Sequence, residues 1–152
     1  MLLVAMTKPD QINGLVGIAS AVDFLSRHYD NLPDSIKTDI KSTGKWIIPT
    51  GHSEEPYILD LKVIEEARQH ILQENELYPI HCPVRLIHGM KDSDVPYQVS
   101  LDLVNKLESN DVHVTLIKDG GHRLSDVGNL QFITTTLGNL IDKVKHDEQC
   151  SV

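Results

Sequence analysis

His122 stands behind two glycines in "DGGH" (119–122), and two aspartates, Asp92 and Asp94, stand in "HGMKDSDVP" (88–96). Histidine is the side chain whose ordinary titration falls near neutral pH. A carboxylate on its Nδ1 fixes the tautomer and stabilises the imidazolium formed when Nε2 takes a proton from a nucleophile. An aspartate paired with His122 would therefore supply the acid and base of nucleophilic catalysis. The pairing needs the two stretches to meet in space.

The surrounding pattern brings them together. A strand is predicted at 84–88, a helix over 97–108, a strand at 112–118 and a helix over 127–145. Strand, helix, strand, helix at this spacing implies right-handed crossovers and a parallel sheet with helices on its faces. All strands of such a sheet point their carboxyl ends at one rim, where ligands and catalytic groups collect. Neighbouring strands lie roughly 5 Å apart, so an aspartate just past one can reach a histidine just past the next. Gly120 and Gly121 are expected to permit the turn that carries His122 over the rim. The residues leave both Asp92 and Asp94 open as the acid; Asp119 reads as a solvated turn residue, and His88, at a strand end, as buried and hydrogen-bonded.

Upstream, "GLVGIAS" (14–20) is a short continuous apolar run, the mark of a strand buried on both faces. Residues 21–79 follow as a long insertion with three helix candidates: "AVDFLSRHYDNLP", "PDSIKTDIKSTG" and "ILDLKVIEEARQHILQENE". In the last, Leu61, Ile64, Ala67, Ile71 and Leu72 recur at helical spacing. Between the second and third lies "KWIIPTGHSEEPY", a turn-rich stretch carrying Trp46 and Tyr57. An insertion of this length reads as a lid or binding loop, and Trp46 and Tyr57 are candidates either to line an acyl pocket in it or to form its small core. At the start, Leu2, Leu3, Val4 and Ala5 read as the middle of a buried helix ending before Pro9. That places the chain's beginning partway into a larger domain. The end, "HDEQCSV", is expected to fray.

Composition narrows the partners. The 152 residues carry 14 Lys and Arg against 22 Asp and Glu, a formal charge of −8, and no basic stripe with interleaved aromatics, which argues against nucleic acid. The apolar start is too short for a membrane span. Cys82 and Cys150 sit in no CxxC motif and read as two spare thiols in a reducing compartment. A metal site drawn from His81, Cys82, His88 and Asp92 lacks the spacing such sites show. Ser20, after the first strand, lacks the flanking glycines of a nucleophile elbow.

"HGMKDSDVP" followed by "GGH" resembles the C-terminal half of the α/β-hydrolase family, in which the acid follows the seventh strand and the histidine the eighth. "GLVGIASAVDF", "KWIIP", "CPVRLIHGMKDSDVP" and "NLIDKV" extend the likeness over nearly the whole chain, toward family members of the mitochondrial acyl-protein thioesterase and acyl-glucuronide esterase type. The resemblance implies a partial α/β-hydrolase domain over 1–152, with 21–79 as its lid. It implies Asp92 as the acid, from the pattern H-G-x-x-D-x-x-V-P, and His122 as the base, with Asp94 the runner-up acid. It implies a serine hydrolase that forms an acyl-enzyme and needs no cofactor and no metal. Palmitoyl-type thioesters and acyl glucuronides are the implied substrates, with an acylated protein or a small acyl ester as the partner, and mitochondrial residence is implied as well. No G-x-S-x-G occurs in the sequence, so the nucleophile has no counterpart here, Met1 falls within the helix after the family's elbow, and near-zero hydrolysis is expected from the chain alone. Two other readings remain open: a non-catalytic fragment or interaction module with an exposed apolar strand edge, and a flavodoxin-like binding domain.

Overall fold

The computed structural model describes residues 1–49, 55–72 and 77–150. They form two compact units, one of residues 1–21 with 75–152, the other of residues 22–74.

The first unit is built on a three-stranded parallel sheet of order β1-β4-β5, with β1 at Leu15–Ile18, β4 at Val84–Gly89 and β5 at Val112–Ile117. Leu15 pairs with Val84 and Val84 with Val112, so the three strands start level. β4 is central because it is apolar and flanked on both edges; Val84, Leu86, Ile87 and His88 are all buried. A fully covered parallel strand requires that continuous run. Around the sheet lie α1 (Leu2–Thr7), α5 (Gln98–Val104) and α6 (Val127–Cys150). Leu140 of α6 is buried against Gly14, just before β1.

The α/β class and the strand–helix–strand–helix order match expectation, while several details differ. β1 is shorter than predicted and not buried on both faces: Leu15 is buried but Ile18 is exposed. Only Leu2 and Ala5 of α1 are buried, with Leu3 and Val4 exposed. α5 stops at Val104, and beyond it Leu107 forms a bridge with Tyr78. The predicted fraying of the tail does not extend to His146–Cys150, where α6 continues; residues 151–152 lie outside the described residues.

The second unit contains the predicted helices as α2 (Phe24–Asp30), α3 (Asp34–Thr43) and α4 (Leu61–Arg68), together with an unpredicted antiparallel pair, β2 (Lys45–Ile48) and β3 (Tyr57–Asp60). Gly44 ends α3 in the left-handed region at φ +69°, its N–H bonded to the Ile40 carbonyl at 2.8 Å. Asp60 caps α4 by accepting the Lys62 N–H at 2.9 Å. The helix predicted to run on through residue 76 ends at Arg68, and residues 73–76 lie outside the described residues, as does the 50–54 part of the turn-rich stretch. Tyr29, Ile40, Trp46 and Ile64 form the unit's core.

Candidate active site

β4 and β5 end side by side, with Gly89 opposite Ile117, and their loops are stitched together at once. The Met90 N–H bonds the Ile117 carbonyl and the Lys91 N–H the Gly120 carbonyl, each at 2.9 Å. This approach is why Gly89 and Gly120 are glycines. A Cβ on Gly89 would overlap the Gly120 carbonyl and lie 2.7 Å from that of Gly121, and a Cβ on Gly120 would meet Leu124 at 2.6 Å. The expected reason, a turn needing glycine's conformational freedom, is therefore replaced by steric clearance. Neither Gly120 nor Gly121 has positive φ, and nothing lies within 4 Å of a Cβ built on Gly121. The left-handed residues near this rim are instead Ala19, just after β1, and Leu124.

From the first loop Asp92 turns inward. Its Oδ1 accepts the N–H groups of Asp94 and Val95, each at 2.9 Å. Its Oδ2 accepts His122 Nδ1 at 2.9 Å and lies 3.3 Å from His88 Nε2. The carboxylate side chain has no solvent exposure. Burial pushes its pKa up, yet the donors from Val95, His122 and Asp94 outweigh that, and the carboxyl is held below its ordinary value.

A carboxylate on Nδ1 places the ring proton there and leaves the Nε2 lone pair of His122 outward. The imidazole is partly exposed, and the Asp94 carboxylate lies 3.9 Å from Nε2. Both aspartates thus face the same ring, Asp92 in bonding contact and Asp94 beyond it. Asp119, on the surface, pairs with Lys91 at 2.6 Å across the two loops. Asp92, Asp94 and His122 converge within 4.8 Å, with Asp92 accepting hydrogen bonds at both of its oxygens. His81, Cys82, His88 and Asp92 do not converge as a set among the described residues. His88 is wholly buried and bonded to Ser100 and Val95, and its bond to Ser100 was missed because nothing in the local sequence links β4 with α5.

Trp46 is buried in the second unit's core, where its ring stacks on His28 at 5.2 Å and meets Tyr29 edge-on. Tyr57 is exposed on β3. That unit holds a cavity of about 460 Å³ whose lining includes Lys37, Lys41, Arg68, Asp30 and Glu65, a charged wall ill suited to an acyl chain.

The profile of the prolyl oligopeptidase family matches residues 1–136. The chain belongs to this family. Among relatives, it is 39% identical over 141 residues to the mitochondrial palmitoyl-protein thioesterase ABHD10 of Bos taurus, covering 92% of this chain and 46% of that protein. The solved structure of mouse α/β-hydrolase domain-containing protein 10 superposes with a TM-score of 0.86 at 37% identity, covering 95% of this chain and 58% of the other. A putative hydrolase from Agrobacterium vitis S4 matches with the same TM-score at 31% identity, over 92% and 56% of the two chains. This member of the prolyl oligopeptidase family therefore carries part of an α/β-hydrolase fold. It spans about half the length of the curated relatives it matches.

Proposed function

We propose that Asp92 and His122 are the acid and base of a serine hydrolase that cleaves acyl esters or thioesters through an acyl-enzyme. The observation that carries this reading is the 2.9 Å bond from His122 Nδ1 to a fully buried carboxylate. In the reaction a serine hydroxyl attacks the acyl carbonyl while His122 Nε2 takes its proton. The tetrahedral intermediate collapses, and His122 returns the proton to the departing oxygen or sulfur. Water then repeats the sequence on the acyl-enzyme. Asp92 stays ionised throughout, holding the ring and stabilising the imidazolium. The chain contains no G-x-S-x-G, so in this reading the serine comes from outside these 152 residues, and the chain by itself is expected to hydrolyse at background rate.

The relatives named as palmitoyl-protein thioesterases support a long-chain acyl thioester as substrate and mitochondrial residence. Acyl glucuronides are a second class, implied by the sequence resemblance. Residues 21–79 serve as the lid; within it Trp46 acts as a core residue and Tyr57 is the remaining candidate for substrate contact. The competing reading, a non-catalytic interaction module, draws on the missing elbow and on the edge of β1 that no strand covers among the described residues.

Fluorophosphonate labelling of the protein isolated from its own cells, with intact-mass measurement, tests the proposal. The expected result is one labelled serine, with His122→Ala reducing labelling and thioester hydrolysis by about three orders of magnitude or more. Undiminished labelling of the His122→Ala protein would remove His122 from the mechanism, and no labelling of the native protein would favour the interaction module.

A further inference from the structure

When His122 returns its proton to the departing oxygen or sulfur, that atom stands within about 3 Å of Nε2, the reach of a hydrogen bond. Asp94 Oδ2 lies 3.9 Å from the same nitrogen. The leaving atom is therefore held within about 7 Å of a second carboxylate, one that does not hold the ring. Asp94 keeps this place because its own N–H donates to Asp92 Oδ1 at 2.9 Å, beside the N–H of Val95. The His122 and Asp94 side chains are 35% and 39% exposed, so both reach the solvent into which a leaving group departs.

We propose that Asp94 is a specificity-determining residue whose carboxylate favours leaving groups that carry positive charge and disfavours those that carry negative charge. The inference rests on the reading of Asp92 and His122 as base-and-acid pair, and it deepens that reading by naming the chemistry of the leaving group. An acylated cysteine flanked by basic residues is a favoured substrate on this account. A glucuronate, which bears its own carboxylate, is a disfavoured leaving group. A carboxylate is charged at neutral pH, and a unit charge about 7 Å away in a largely aqueous setting alters a rate by about threefold. Exchanging a cationic for an anionic leaving group compounds that effect, while dissolved salt and a charge set farther out reduce it. The net discrimination is about threefold to tenfold. Lys91 and Asp119, which pair at 2.6 Å across the two loops, offset one another. Selection of this kind acts on the leaving group and does not depend on the length of the acyl chain.

The experiment compares kcat/KM for two octanoyl thioesters, one of thiocholine and one of mercaptoacetate, using the protein and its variants produced in and isolated from its own cells. The two thiols differ in intrinsic reactivity, and that difference cancels when the cation-to-anion ratio of a variant is divided by that of the wild type. The cations exposed on the second loop, Lys118 and Arg123, are common to both proteins and cancel likewise. Asp94→Asn is expected to lower the ratio about threefold to tenfold, Asp94→Lys to lower it further, and 0.5 M salt to shrink both changes. A loss of rate shared equally by the two substrates is what a merely structural role would give, and it overturns the proposal. Asp142→Asn removes the same charge beside Lys143, which reaches Asp111 at the opposite end of β5, and should leave the ratio unchanged; an equal change there would assign the effect to net charge and overturn the role of Asp94. Should Asp94→Asn fail to fold, Asp94→Ser takes its place. His122→Ala separates this inference from the one beneath it. If His122→Ala abolishes hydrolysis of both thioesters while the Asp94 variants keep the wild-type ratio, only the specificity role falls. If His122→Ala hydrolyses both at the wild-type rate, or the native protein hydrolyses neither, the acid–base reading falls and this inference with it.

Discussion

Asp92 is ionised as it accepts from the His122 ring and from the two backbone N–H groups around it, so the site is itself sensitive to acid. Its folded-state pKa lies below the ordinary value because the donors from Val95, His122 and Asp94 outweigh the effect of burial. A depressed carboxylate pKa contributes stability that is fully present above the unfolded value, about 4, and is lost as pH falls through the folded value. Asp111 adds a second such contribution, its pKa lowered first by the Arg85 guanidinium. Asp92→Asn keeps an acceptor for the backbone N–H groups but presents an amide where a carboxylate served the His122 ring donor. We expect it to cost about 1–3 kcal/mol at pH 7 and to flatten the acid limb of stability below pH 4, leaving the part due to Asp111. Urea unfolding midpoints of the two proteins from pH 7 down to about 2.5 measure this. Parallel acid limbs would mean that Asp92 is not the titrating group.

At the scale of elements, the meeting of two loops depends on the absence of side chains. Gly89→Ala and Gly120→Ala each place a Cβ where atoms already sit, whereas Gly121→Ala places one in open space with no unusual φ. The first two are expected to push the loops apart, lower the melting temperature by several degrees, corresponding to about 1–3 kcal/mol of overpacking, and weaken the bond between His122 and Asp92. Gly121→Ala should be near neutral. Thermal melts together with the His122 ring shift separate these outcomes, and equal effects at positions 120 and 121 would contradict the steric account. Much of this architecture was legible beforehand. β4, β5 and α6 announce themselves through a continuous apolar run, a second β-branched run and a long helical pattern, and their order alone places Asp92 and His122 on one rim. What could not be read was tertiary. "DGGH" looks like a request for flexible backbone, and only the packing of Gly120 on Leu124 and of Gly89 on the neighbouring loop shows that the need is for space. The β2–β3 pair was hidden by the prolines and turn residues between its strands, and α4 was read too long because Leu72, beyond the helix's end, continues its apolar spacing and is indeed buried. Ser100 offers no local sign of its bond to His88.

For the whole molecule, apolar surface and charge pull in opposite directions. β1 pairs with β4, and among the described residues no strand covers its other edge; Ile18, at its end, is exposed. On α6, Val127, Leu130, Leu137 and Ile141 are exposed as well, at spacings that place them along one stripe. An uncovered strand edge is a template for pairing with another chain, and exposed apolar stripes favour association. The formal charge of −8 opposes it, because copies of the chain repel at low ionic strength, where screening is weak. The 152-residue chain should therefore self-associate in a concentration-dependent way, and more strongly in 0.5 M than in 0.05 M salt, where the screening length shortens from about 14 Å to about 4 Å. Ile18→Lys puts a cation at the strand edge, a feature that natural edge strands use to block pairing, and should lower the weight-average mass measured by sedimentation at both salt concentrations. Leu137→Lys should lower it if the α6 stripe shares in the contact. A protein that stays monomeric at all concentrations and both salt strengths would show that β1 and α6 are protected without a partner; association abolished by salt would show that it is driven by charge, with the apolar surface playing no part.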